Sequence, residues 1–183
     1  MGTLARYLSH RTRPAGVRAP CPGHRVDAEI ADLPRGMNTI SPMKLNDTAR
    51  QLLGSNPATL VTINRDGSSQ VSVVWIVVQR TADGDDELVT AHLADYLKLR
   101  NIRRDPRVSV TVVSTDRSGP FTPWLSIKGT ARVEEGGAPE LLDELVTPMF
   151  GPGTGFPPPD APPGYLTRIT IEKVGGAGSN PIQ

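Results

Sequence analysis

Cysteine is almost absent: Cys21 is the only one in 183 residues. No internal disulfide can form, and no His or Cys cluster with metal-ligand spacing surrounds it, so neither a disulfide scaffold nor a metal site is expected. Charge of one sign is lacking too. Lys and Arg total 20 against 19 Asp and Glu, a net charge of +1, which gives no field of the kind that gathers nucleic-acid phosphates. No apolar run approaches the about 20 residues of a spanning helix, and the N-terminus lacks the apolar core of about 7 to 15 residues that marks a secretory signal. A soluble, cytoplasmic protein with no nucleic-acid or membrane partner is the expectation. Repeats of about 20 to 50 residues are missing, which removes propellers and solenoids. Also missing are a P-loop, a GxGxxG turn after a strand, HExxH and GxSxG. Without such machinery, weight shifts to a bound cofactor that carries the chemistry while the protein positions it.

What is present divides the chain into three parts. Residues 1–42 hold Arg6, Arg11, Arg13, Arg18 and Arg25 before the first acid at Asp27, with Pro14, Pro20, Pro22 and Pro34 between them and no apolar period. Such a segment buries too little surface to offset its ordering entropy. It reads as a flexible basic extension, an upstream over-extension with translation starting at Met37 or Met43, or a targeting peptide. Residues 43–176 form the expected folded domain, and residues 177–183 a flexible tail.

Within the domain, Asn46 is a candidate N-cap for a short helix through Leu53, which Gly54 can close in the left-handed conformation. Residues 58–64 alternate apolar and polar side chains, residues 65–68 (RDGS) supply a turn, and residues 70–78 form a β-branched run, together a hairpin. A third strand follows over Glu87 to His92, a helix over Ala94 to Arg104, strands over Arg107 to Val113 and Trp124 to Val133, a helix over Pro139 to Phe150, and a sixth strand over Tyr165 to Val174. Gly129 inside the fifth strand predicts a bend or close backbone approach. Residues 118–123 and 151–164 are Gly/Pro-rich and read as irregular loops, the second as a flexible loop or lid. Consecutive antiparallel strands with two inserted helices predict a mainly β, six-stranded antiparallel barrel rather than a doubly wound sheet.

The densest polar group is Thr90, His92, Lys98, Arg100, Asn101, Arg103 and Arg104, at one strand-to-helix junction. Lys98 and Asn101 share a helix face, while Leu99 and Ile102 form another face that can pack on the barrel. A lysine point charge, a threonine hydroxyl and an amide suit a phosphorylated ligand. The same spacing also fits a solvated basic face paired with Asp95 and Asp105. Trp75 and Trp124 are candidates either for stacking on a flat ring or for the core. His92 has no Asp or Ser nearby in sequence with which to build a triad, so it is not a candidate catalytic base.

The stretch 58–64, the turn 65–68, the strand 71–75 and above all residues 98–108 (KLRNIRRDPRV) resemble the pyridoxamine 5'-phosphate oxidase-like split β-barrel family, specifically its deazaflavin-dependent branch. The resemblance covers about residues 45–175 and implies an FMN-binding type split barrel, a homodimer with a cofactor between subunits. Carried over residue by residue, it implies Ser72, Val74 and Trp75 along the ring, Thr90 and His92 toward the ribityl chain and phosphate, and Lys98, Asn101 and, less firmly, Arg100 at the phosphate. Trp124, Lys128 and Arg168 match regions that reach across the dimer in relatives. The chain departs from true pyridoxamine-phosphate oxidases at its C-terminus, GGAGSNPIQ, which has none of their basic character and argues against vitamin B6 oxidation.

The resemblance therefore implies an oxidoreductase passing a hydride between coenzyme F420, or FMN as second choice, and a small organic acceptor. The acidic tail of F420 would suit the Arg100, Arg103 and Arg104 face. A different class also fits: a non-catalytic protein that carries or senses flavin, F420 or haem in the same groove.

Overall fold

The computed structural model describes residues 43–116, 122–151 and 153–177. The expected N-terminal extension 1–42, residues 118–121 of one expected loop and residues 178–183 of the tail lie outside the described residues.

Helix α1, Asp47–Ser55, begins where the sequence predicts: the Asn46 side chain accepts a hydrogen bond from the Ala49 amide at 2.9 Å, pairing one of the free N–H groups of the first turn. Its end differs from expectation. Gly54 lies inside the helix, and Asn56 ends it by donating its side-chain N–H to the Leu52 carbonyl at 2.9 Å. The same side chain accepts from the Thr115 amide and hydroxyl at 2.8 and 2.9 Å. That buried anchor makes a glycine cap unnecessary. Asp86, 2% exposed, fastens the start of α1 to the sheet by accepting from Leu45 N at 2.7 Å and pairing with Arg50.

Among the described residues, seven antiparallel strands follow rather than six: β1 Ala58–Ile63, β2 Ser69–Val74, β3 Val77–Arg80, β4 Asp86–His92, β5 Arg107–Val113, β6 Trp124–Glu135 and β7 Tyr165–Ala177. Their order in the sheet is β2-β1-β5-β6-β7-β4-β3. The apolar run 70–78, expected as one strand, breaks at Trp75 and Ile76, because Val74 is paired to Ala58 of β1 while Val77 is paired to Val89 of β4. Those two pairings lie at opposite edges of the sheet. Three residue steps span at most about 11 Å, so the edges must be close together and the sheet curls into a barrel.

The interior is filled by Leu60, Ile76, Leu88, Val110, Val112, Ile127 and Ile169, each at most 1% exposed. Gly129 behaves as predicted. The β6–β7 register shifts between Lys128 and Gly129, and a Cβ at Gly129 would stand 2.1 Å from the Thr170 carbonyl oxygen, so only glycine fits the bulge.

Helix α2, Leu97–Arg104, is shorter than the expected 94–104, because Tyr96 stays extended at φ −69° and ψ 160° and the helix can begin only after it. Its apolar face is the predicted one: Leu99 and Ile102 are 0% and 2% exposed. Helix α3, Ala138–Phe150, packs Leu141 and Leu145 against Val89 of β4, with Trp75, Val77, Ala91 and Leu166 around them. β7 runs through Ala177, one residue beyond the expected domain edge.

Candidate functional site

Along β4 the side chains alternate between two environments. Leu88 belongs to the barrel core, and Val89 and Ala91 meet the α3 cluster. Thr90 and His92 share the face of Leu88 and emerge where β4 ends and the chain turns into α2. There, Val74 and Trp75 from the β2–β3 break, Thr90 and His92 from β4, and Tyr96 and Lys98 from the start of α2 line one cavity of about 300 Å³. Leu142 and Leu145 of α3 and Phe156 of the Gly/Pro loop form its apolar wall.

Lys98 is half-buried, and loss of hydration lowers its pKa; its Nζ lies 5.1 Å from the centre of the Tyr96 ring, a cation–π contact. His92 is 4% exposed, and its pKa falls to about 3, first because burial disfavours the imidazolium and second because Lys98 is close. The imidazole is therefore neutral at ordinary pH. Its Nε2 is buried and hydrogen-bonds no group among the described residues, and its ring meets Tyr96 edge-on at 6.3 Å between centroids. Gly164 holds this end of β4 in place: with φ +60°, it lets the loop backbone approach so closely that a Cβ would stand 2.5 Å from the His92 carbonyl oxygen.

Five of the eight residues singled out from the sequence, Val74, Trp75, Thr90, His92 and Lys98, meet at this cavity. Three do not line it. Ser72 sits on β2 with a buried hydroxyl that has no partner among the described residues. Asn101, 1% exposed, donates to Thr62 Oγ1 at 3.2 Å and Asn64 Oδ1 at 2.8 Å, tying α2 to β1. Arg100 is exposed and lines, with Asn101, Arg65, Asp66 and Arg104, a separate cleft of about 630 Å³. Arg104 also donates to the Ile63 carbonyl there.

The salt-bridge reading of the basic face holds in part. Arg103 pairs with Asp95 at 2.6 Å, and Asp105 is taken by Arg107, also at 2.6 Å, whose bond holds the Asp105 carboxyl down to about 2. Of the residues matched more loosely, Arg168 is engaged within its own chain, pairing with Glu87 and Glu134 and donating to Gln79. Trp124 and Lys128 are exposed on β6.

Tyr96, Leu142, Leu145 and Phe156 were not legible as cavity residues. The spacing of Leu142 and Leu145 marks an apolar helix face, but nothing in the sequence says which strands it covers.

A lysine ammonium, a threonine hydroxyl and a free imidazole nitrogen beside an indole make a donor set that fits the phosphate end of a phosphorylated aromatic ligand. Among the described residues, no group of three or more His, Cys, Asp or Glu is placed to hold a metal ion. No helix among them is long and apolar enough to cross a membrane.

Comparison with solved structures finds the same fold at low identity. An F420 reductase is 23% identical, with 69% of this chain and 94% of that chain covered and a TM-score of 0.56. HupZ of Group A Streptococcus is 15% identical over 76% and 99%, with a TM-score of 0.55. An FMN-binding protein from Syntrophomonas wolfei is 17% identical over 72% and 85%, with a TM-score of 0.50. No curated protein matches the chain. The model of the pyridoxamine 5'-phosphate oxidase family matches residues 45–176, every strand and helix from α1 through most of β7, and the chain belongs to that split β-barrel family.

Proposed function

We propose that the protein is an oxidoreductase using coenzyme F420, or FMN in its place, to pass a hydride to or from a small organic acceptor, with each cofactor bound between two copies of the chain. The observation that carries this reading is the convergence of Trp75, Thr90 and Lys98 on one cavity. Lys98 and Thr90 bind the phosphate, while Val74 and Trp75 orient the ring beside it. The bound ring supplies the hydride chemistry. The α3 leucines and Phe156 exclude water from that side.

Two further observations support the details. At about 300 Å³, the cavity is at the lower limit for ligand sites, which run to about 1,000 Å³, as expected of half a slot that a partner completes. The separate cleft lined by Arg65, Arg100 and Arg104, with Asp66 as its one carboxylate, is basic on balance and suits an acidic tail, which favours F420 over FMN.

The purified protein should bind F420 or FMN, as read by fluorescence titration, and Lys98→Ala should weaken that binding by about 1–3 kcal/mol. Failure of the wild type to bind either at tens of micromolar rejects the reading. A second reading is a carrier that binds flavin, F420 or haem in this cavity without turnover. Binding without reduction of any acceptor in a substrate panel would select it.

A further inference from the structure

Aromatic residues are scarce in this chain, with two Trp, three Tyr and three Phe in 183 residues. One of each kind, Trp75, Tyr96 and Phe156, lines the same cavity of about 300 Å³, although they come from the β2–β3 break, the start of α2 and the Gly/Pro loop. Core packing does not account for the grouping, because Tyr96 is 50% and Phe156 44% exposed. The Lys98 ammonium over its face and the His92 ring against it explain Tyr96 in part. Phe156 is fixed through its backbone: the Thr154 hydroxyl accepts from the Phe156 amide at 3.3 Å and donates to its carbonyl at 3.2 Å. A loop rich in Gly and Pro thus keeps an exposed aromatic ring beside the cavity.

The cavity is also chemically divided. Thr90 and His92 of β4 and Lys98 of α2 make one side polar, whereas α3 and the loop contribute Leu142, Leu145 and Phe156. Among the described residues, Lys98 is the one Lys, Arg, Asp or Glu that lines it, and in the reading above its charge is met by the cofactor phosphate. A carboxylate or a second phosphate set against the α3 side would lose its hydration and find no partner.

We propose, resting on the cofactor reading above, that the Leu142, Leu145 and Phe156 side of the cavity is the acceptor subsite, that it takes a small, planar, uncharged compound, and that Phe156 sets this preference. A flat acceptor can lie parallel to the cofactor ring, the arrangement that brings a hydride donor and its target within reach. The Phe156 ring then packs on the acceptor, offset or edge-on. Charged compounds are turned away by the cost of their desolvation against apolar side chains.

The test measures binding rather than turnover, with two probes of nearly the same shape: 2-acetylnaphthalene, which is neutral, and 2-naphthoate, which is anionic at neutral pH. Equilibrium dialysis is run on the wild type, Phe156→Ala, Phe156→Tyr and Phe156→Lys, each saturated with FMN or F420 so that the phosphate end is filled. The wild type should bind 2-acetylnaphthalene at least about tenfold more tightly than 2-naphthoate. Phe156→Ala should weaken the neutral probe about fivefold to tenfold, Phe156→Tyr should restore it, and Phe156→Lys should raise the affinity for 2-naphthoate. Cofactor affinity should change far less than probe affinity in all three variants. The proposal is overturned if the wild type does not prefer the neutral probe, if Phe156→Ala leaves that probe's affinity unchanged, or if cofactor affinity falls in step with it, the mark of a contact with the cofactor rather than the acceptor. Failure of the wild type to bind either FMN or F420 would instead remove the cofactor reading, and this inference with it.

Discussion

The side-chain amide of Asn101 donates to Asn64 Oδ1 at 2.8 Å and so bolts helix α2 across the end of strand β1. Three residues earlier on the same helix, Lys98 lines the cavity shared with Thr90 and His92. The two residues therefore have separable roles. Asn101→Ala should cost about 1–3 kcal/mol of stability by leaving Thr62 and Asn64 without their buried donor, measured by urea unfolding. Lys98→Ala should change stability by less than about 1 kcal/mol while weakening cofactor binding. Equal stability losses for both would show that Lys98 is structural.

The pKa of His92 lies at about 3 in the folded chain against about 6.5 in the unfolded one. Between those values the unfolded chain holds the extra proton, so stability is fully present above about pH 6.5 and is lost as pH falls toward 3. The slope from this one group approaches about 1.4 kcal/mol per pH unit. Denaturant midpoints measured from pH 7 to pH 4 should fall less steeply for His92→Leu than for wild type. The histidine ring signals of the ligand-free protein should show no inflection for His92 between pH 5 and pH 8.

Much of the barrel was legible because its information is local. The N-cap at Asn46, the turn through Gly67 and the bulge at Gly129 each follow from the chemistry of one or two residues. The break at Trp75 was not legible, because nothing within residues 70–78 differs from an ordinary strand; it arises from pairing with β1 on one side and β4 on the other. The site divides the same way. Lys98, Thr90 and Trp75 stand out by residue type, whereas the diversion of Asn101 to Thr62 and Asn64 joins residues 39 and 37 positions apart. Helical spacing put Lys98 and Asn101 on one face, but it carries no information about partners on another strand.

Two glycines should separate scaffold from site. At Gly129, an added Cβ would meet the Thr170 carbonyl oxygen at 2.1 Å, so Gly129→Ala should open the β6–β7 bulge and cost at least about 1–3 kcal/mol. Cofactor affinity of the fraction that remains folded should not change. At Gly164, φ is +60° and the added Cβ would press on the His92 carbonyl at 2.5 Å and on Ala138 Cβ at 2.6 Å. Gly164→Ala should therefore lower both stability and FMN affinity. Denaturation and fluorescence titration on the two variants check the contrast, and an unchanged FMN affinity in Gly164→Ala would disconnect the loop from the site.

The outer face of edge strand β2 leaves Val71 60% and Val73 69% exposed, and across the ladder Val71 is paired with Val61 of β1. Apolar side chains this exposed in adjacent positions are a natural place for a partner surface, and Val73 also borders the cavity with Lys98. A second copy seated on β2 would bury this patch and wall the open side of the cavity at once. Val71 does not line that cavity, so Val71→Glu should disrupt the assembly without touching the ligand directly, by placing a carboxylate in an apolar contact. Sedimentation should show wild type as a dimer and Val71→Glu shifted toward monomer at equal concentration. FMN or F420 affinity should fall in parallel with dimer content, because half of the slot is then missing. A monomeric Val71→Glu protein that binds as tightly as wild type would mean that one chain suffices to hold the cofactor.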